Sequence, residues 1–197
     1  SALADDPAPA APGDLSSAAE VLVTATRRAD PAFDVPWSAD LIGSDEFLRD
    51  RIRRTLPDAL LDAPGVMVQK TSYGQASPFI RGFTGYHTVL LVDGIRVNNS
   101  TFRSGPNQYW STVDGLSTDH LELVRGPSSV LYGSAAVGGV VNAVPRRRTS
   151  FEPGFHANGR TWVRYATAEA SWVTRVEAEG NQDRLGFLAG FGYRSYG

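Results

Sequence analysis

From Ala170 to Tyr193 the chain alternates residue by residue, and a period of two admits only extended strands. In "ASWVTRVEAEG" one face carries Trp172, Thr174, Val176 and Ala178, and the other Val173, Arg175, Glu177 and Glu179. "RLGFLAGFGY" repeats the pattern, with Leu185, Phe187, Ala189, Phe191 and Tyr193 on one face and mostly glycine on the other. "GNQD" at 180 to 183 reads as the polar turn between them, and "RTWVRYAT" at 160 to 167 as a strand before them. The result is a three-stranded meander with aromatic residues near strand ends, as a membrane interface favours. A soluble sandwich alternates in the same way, so the pattern alone leaves both readings open.

Other features narrow the choice. No stretch approaches the eighteen or so consecutive apolar residues of a membrane helix, so any membrane crossing must be made by strands. A net charge of −2 has the wrong sign for bulk attraction to phosphate, which excludes a nucleic-acid partner. With no cysteine the fold uses neither disulfides nor thiolate metal sites. At 197 residues with 42% hydrophobic content, the chain can bury a sizeable core.

Ahead of the meander the texture is mixed. Residues 1–19 are mostly Ala, Pro, Asp and Ser and read as a flexible tether. "ALA" at 2 to 4 fits the end of a secretory signal, or chance in an alanine-rich segment. "EVLVTATRR" at 20 to 28 favours an extended backbone between two flexible segments. It reads as an unpaired strand open to capture by another protein's sheet edge, or as the first strand of the chain's own sheet.

Ser44 begins a helical pattern through Phe47, Leu48, Ile52 and Leu56, and Pro57 opens a second short helix ended by Pro64-Gly65. "VMVQK" at 66 to 70 reads as a strand, and "HTVLLVDGIRVNN" at 87 to 99 as a hairpin turning at Asp93-Gly94. A strand at "DHLELV", a helical turn at "SSVLYGSAA" and a strand at "GGVVNAV" close an α+β unit near Pro145.

No catalytic or metal constellation emerges. "GSAAVGG" at 133 to 139 has phosphate-loop spacing but sets Gly139 where the lysine must stand. His87, His120 and His156 lack metal-ligand spacing, and Asp93 is accounted for by its turn. The expectation is therefore no enzyme, no resident metal and no cofactor.

The ordered blocks "EVLVTATR", "LLDAPGVMVQ", "FIRGF", "VLLVDGIRVNN" and "LELVRGPSSVLYGSAAVGGVVNAV" resemble the plug domain of TonB-dependent outer-membrane receptors, over roughly residues 20 to 148. The alternating strands after them are similar to the start of that family's barrel. The resemblance implies an α+β plug domain, a small mixed sheet with short helices, followed by the first antiparallel strands of a transmembrane β-barrel that is 22-stranded when complete. It divides the chain into a periplasmic tether (1–19), a Ton box region (20–28), the plug (29–148) and three barrel strands (149–197). The N-terminus is then periplasmic and the plug lies inside a barrel in the bacterial outer membrane. Three strands cannot close a barrel in lipid, so the remaining strands belong to the rest of the chain or to a second polypeptide.

The resemblance also assigns partners and sites. Glu20, Val21, Leu22, Val23, Thr24 and Ala25 match the Ton box, where the energy-transducing partner TonB adds a strand. Outer-membrane lipid is the other surrounding. The loop "NNSTFRSGPNQYW" offers Asn98, Asn99, Ser100, Thr101, Phe102, Arg103, Tyr109 and Trp110 as ligand-facing candidates, with Arg103 suited to an anion, or else it packs on the barrel wall. Arg81 of "FIRGF" and Arg125 of "LVRGP" are expected to pair with inward-pointing carboxylates of the wall, or merely to cover exposed strand ends.

The implied activity is import of a ferric siderophore or similar metal chelate, the chelate being cargo. Haem, cobalamin or a glycan are the alternative cargoes, His87 being poor support for a haem ligand. A signalling receptor carries a folded domain before the Ton box, and nineteen residues are too few for one.

Overall fold

The computed structural model describes residues 21–22, 24, 26–28, 30–31, 34–46, 48, 55–72, 75–97, 105–106, 108–147 and 153–195. Two bodies stand out, a mixed sheet and an antiparallel meander. The sheet has the order β3-β8-β9-β6-β7, built from β3 (Ser38–Gly43), β6 (Thr88–Val92), β7 (Ile95–Arg96), β8 (Thr118–Arg125) and β9 (Gly139–Pro145). All neighbours are antiparallel except β6 and β9, which run parallel with Thr88 opposite Gly139. Both faces of the central strands are covered, which is why "TVLLV" and "GVVNA" read as nearly unbroken apolar runs.

One face packs Leu56, Leu60, Ile80, Leu90, Trp110, Leu121, Leu123 and Val141 into the main core. The other sets Val89, Leu91 and Val140 against Ala136 and the short helix α1 (Ser129–Tyr132). Asp93 and Gly94, at φ 56° and 74°, form the left-handed corner of the β6–β7 hairpin, as the Asp-Gly pair predicts.

Around this sheet lie smaller pieces. Val21–Leu22 (β1) pairs antiparallel with Asp30–Pro31 (β2). Val66–Ser72 (β4) pairs with Gln75–Ile80 (β5), a strand the sequence reading does not contain. Pro78 lies within it, and proline argues against a strand except at an edge, which β5 is in this two-stranded ribbon. A helical turn starts at Ser44, while Phe47 and residues 49–54 lie outside the described residues. The expected second helix is a single 3-10 segment, Leu56–Leu60, tied at its start by Thr55 N–H donating to the Asp58 carboxylate at 3.2 Å.

The meander comprises β10 (Phe155–Ala166), β11 (Ser171–Gln182) and β12 (Leu185–Ser195). At twelve, twelve and eleven residues these strands are long enough to cross a hydrocarbon layer when tilted. The expected turn at Gly180 to Asp183 is corrected: Asn181 and Gln182 continue β11, paired with Gly186 and Leu185, and the chain reverses at Asp183-Arg184. Asp183, in the left-handed region, tolerates that corner. Tyr165, Trp172, Leu185, Phe187, Phe191 and Tyr193 lie exposed on the outer face. The inner face carries four arginines (Arg160, Arg164, Arg175, Arg194) against two glutamates (Glu177, Glu179). No helix among the described residues is long and apolar enough to cross a membrane.

Candidate functional site

The meander meets the sheet domain along a charged seam. Asp114 opens the 3-10 turn Gly115–Ser117, where its carboxylate accepts from Leu116 N–H at 3.2 Å and Ser117 Oγ–H at 2.6 Å. The same carboxylate accepts from two arginines of the meander: Arg175 Nη1 donates to Oδ2 at 2.8 Å and Arg194 Nη2 to Oδ1. Asp114 is thus a turn cap whose two oxygens are each also engaged by a guanidinium from a different strand.

The meander's own sequence holds Arg175 in place. Glu177 accepts from Arg175 Nε at 3.0 Å and lies 2.9 Å from its Nη2, while Arg160 Nη2 donates to the other Glu177 oxygen at 2.5 Å. Only Nη1 is left to reach Asp114. The inward positions beside it on β12 are Gly190 and Gly192, opposite Glu177 and Arg175. A methyl at Gly190 would lie 2.5 Å from Arg175 Nη2, so the glycine face of "LGFLAGFG" is the slot in which this guanidinium lies flat. Two cavities continue the seam. One of about 70 Å³ lies between Leu48, Leu116 and Arg146 on the sheet domain and Arg160 and Arg175 on the meander. The other, about 390 Å³, shares Arg146 and Arg160 and extends to Glu177 and Glu179.

The arginine-glycine motifs resolve differently from expectation. Arg125 meets a carboxylate inside its own domain: Nη1 and Nη2 both donate to Asp40 on β3, the second at 3.1 Å, with Ser38 Oγ and the Pro64 carbonyl taking further bonds at 2.9 and 3.1 Å. Its neighbour strand supplies that partner because Ser38 stands opposite Arg125 in register. Arg81, at φ 52°, donates its N–H to the Gly65 carbonyl at 2.8 Å and makes no ion pair among the described residues. Its guanidinium lies over Gly126, where a methyl would come within 3.0 Å of Nη1 and φ is +109°. The two motifs therefore converge on the Pro64-Gly65 turn, with the first arginine covering the glycine of the second.

Val21 and Leu22 are likewise not an open strand. Beyond the β1–β2 pairing, Thr24 is buried, and its N–H donates to Glu122 Oε2 at 2.8 Å, as does its hydroxyl. Tyr132 O–H donates to the Thr24 carbonyl at 2.9 Å, and Arg27 stacks 4.7 Å above the Tyr132 ring. Glu122 is wholly buried on β8, and its carboxylate, 3.7 Å from His120 Nε2, raises the His120 pKa, burial opposing and Asp119 assisting. Burial pushes the Tyr132 phenol up. Glu20, Val23 and Ala25 lie outside the described residues, as do Asn98, Asn99, Ser100, Thr101, Phe102 and Arg103. Tyr109 begins a 3-10 turn through Thr112. Trp110 is corrected from ligand-facing to core: it is 0% exposed, among Leu56, Leu60 and Ile80. Ser111 fixes this turn to β5, accepting from Ala76 N–H at 2.9 Å and donating to the Ala76 carbonyl at 3.0 Å.

Asp114, Arg175, Arg194 and Glu122 are the functional candidates that sequence reading misses. Glu122 is signalled only as a carboxylate inside the apolar run "HLELV", and Arg175 and Arg194 only as charges on a strand face rich in glycine, while Asp114 carries no signal beyond the glycine that follows it.

A mixed-sheet domain fastened by ion pairs to strands with an apolar outer and charged inner face defines a class, the plug seated against a barrel wall. The chain belongs to the TonB-dependent receptor plug domain family, whose model matches residues 31–140. The vitamin B12 transporter BtuB of Photobacterium profundum is 32% identical over 143 residues, covering 72% of this chain and 22% of the relative. An iron-regulated outer membrane virulence protein of Vibrio cholerae is 37% identical over 132 residues, covering 64% and 20%. The pyoverdine outer membrane receptor FpvA from Pseudomonas aeruginosa, solved bound to pyoverdine, superposes with a TM-score of 0.69 at 18% identity, covering 89% and 24%. The chain thus spans about a fifth of the length of the curated relatives it matches.

Proposed function

We propose that this chain is the plug and first wall strands of an outer-membrane importer that takes up a scarce nutrient as a metal chelate, a ferric siderophore or its like. The observation that carries this reading is the plug family match followed directly by strands with an apolar outer face and an arginine-rich inner face. An inner wall with four arginines against two glutamates favours anionic cargo, which many ferric chelates are. Residues 1–19 then act as tether, 20–28 as the TonB-binding region, 29–148 as plug and 149–197 as wall, with the N-terminus in the periplasm. Cobalamin is the second cargo, favoured by the 32% identity to a vitamin B12 transporter.

In this reading Glu20 to Ala25 supplies the strand through which the partner pulls. The described conformation is a closed one: β1 is paired with β2 and Thr24 is held by Glu122, so both must let go before TonB can pair. Growth of a deletion strain on single iron sources, and separately on limiting cobalamin, tests the cargo. Loss of growth on one ferric chelate alone is the expected result, and loss on cobalamin alone selects the second reading. Val21→Pro in the full receptor is expected to abolish uptake while ligand binding persists, since proline removes a donor from the strand.

A further inference from the structure

Arg175 and Arg194 reach from neighbouring wall strands to opposite oxygens of one carboxylate. Guanidinium pairs of this kind recognise carboxylates in general, and nothing in their geometry is particular to an aspartate. The wall alone prepares the site, since Glu177 orients Arg175 and Gly190 clears the surface on which it lies. At the guanidinium pair itself the plug contributes only the occupant, Asp114. Beside it run the two seam cavities with Arg146 and Arg160, and Arg146 Nε is buried without a partner among the described residues.

We propose that Arg175 and Arg194 form an anion-binding station on the inner wall, masked in this state by Asp114, which takes a carboxylate-class group of anionic cargo once the plug segment withdraws. The inference rests on the import reading and deepens it. Asp114 acts as an internal competitor: tethered at high effective concentration, it keeps the pair neutralised until the plug moves. Arg146 and Arg160, along the seam, then supply the next cationic contacts.

The probe is citrate, titrated calorimetrically at constant ionic strength into the full-length receptor in detergent. Asp114→Ser removes the carboxylate and keeps a residue able to cap the Gly115–Ser117 turn. It is expected to bind citrate roughly ten-fold more tightly than the native receptor, a difference of about 1.4 kcal/mol. Adding Arg175→Gln and Arg194→Gln to it abolishes that binding. Equal citrate affinity in the native and Asp114→Ser receptors, or retention of binding in the triple variant, overturns the proposal. Should Asp114→Ser fold poorly, Asp114→Asn preserves the cap's shape and must still bind more tightly than the native receptor. Import that persists while citrate binding is absent sinks the station and leaves the import reading standing. Citrate binding by Asp114→Ser in a receptor that imports no chelate does the reverse.

Discussion

The plug's core and its seam with the wall are built from opposite materials. Leu121, Leu123, Val140 and Val141 are completely buried between sheet and helices, in contacts that no small displacement can spare. At the seam, by contrast, the Asp114 carboxylate and two wall arginines hold one turn, bordered by cavities. Dispersion and apolar burial make the first region a unit that moves whole, whereas charge-assisted hydrogen bonds make the second a joint that can be exchanged for other partners. The proposed import, in which the plug is displaced while staying folded, calls for both.

The contrast breaks most severely with Leu123→Ala. A buried leucine lost from a close-packed core costs about 2–5 kcal/mol, so the plug is expected to lose protease resistance while the barrel persists, as seen by limited proteolysis of the full receptor. Arg125→Ala comes next. It leaves Asp40 and the Pro64 carbonyl without their donor, but Asp40 is one-third exposed, so about 2 kcal/mol is expected. The urea midpoint of plug unfolding measures it.

Asp114→Asn is expected to do something different, costing about 1 kcal/mol at the seam and leaving the core midpoint unchanged. Labelling of a cysteine placed at Leu116 should rise at urea concentrations where the plug is still folded. Gly190→Ala should mimic it by pushing Arg175 out of its slot, and should add little in the Asp114→Asn background because both act on one contact. The smallest effect concerns pH. His120 is raised by the neighbouring Glu122 carboxylate, so the stabilisation is full below about pH 6.5 and is lost as pH climbs through the raised value. Labelling of a cysteine at Thr26 should therefore increase over that window, and His120→Gln should flatten the dependence.

Much of this fold can be read along the chain. Alternation places Trp172 and Phe191 outward and Arg175 and Glu177 inward, and the Asp-Gly pair sets the β6–β7 corner. The readings that fail do so where partners are remote. Trp110 sits beside a polar loop and reads as a ligand contact, yet it fills the space between Leu60 and Ile80. Val21 and Leu22 read as an open strand, but Asp30 and Pro31 close it, and Glu122, 98 residues away, holds Thr24.

The charge polarity of the seam is the clearest case. Motif reading assigns arginines to the plug and carboxylates to the wall. Along the described seam the wall gives Arg175 and Arg194 and the plug gives Asp114, across separations of 61 and 80 residues. Period, turn chemistry and residue type are local, so the sequence by itself determined strands, corners and which face of each strand is charged. Which charges meet depends on how two separately patterned surfaces dock, and only the tertiary structure decided that, because an ion pair is fixed by distance in space and not by spacing along the chain.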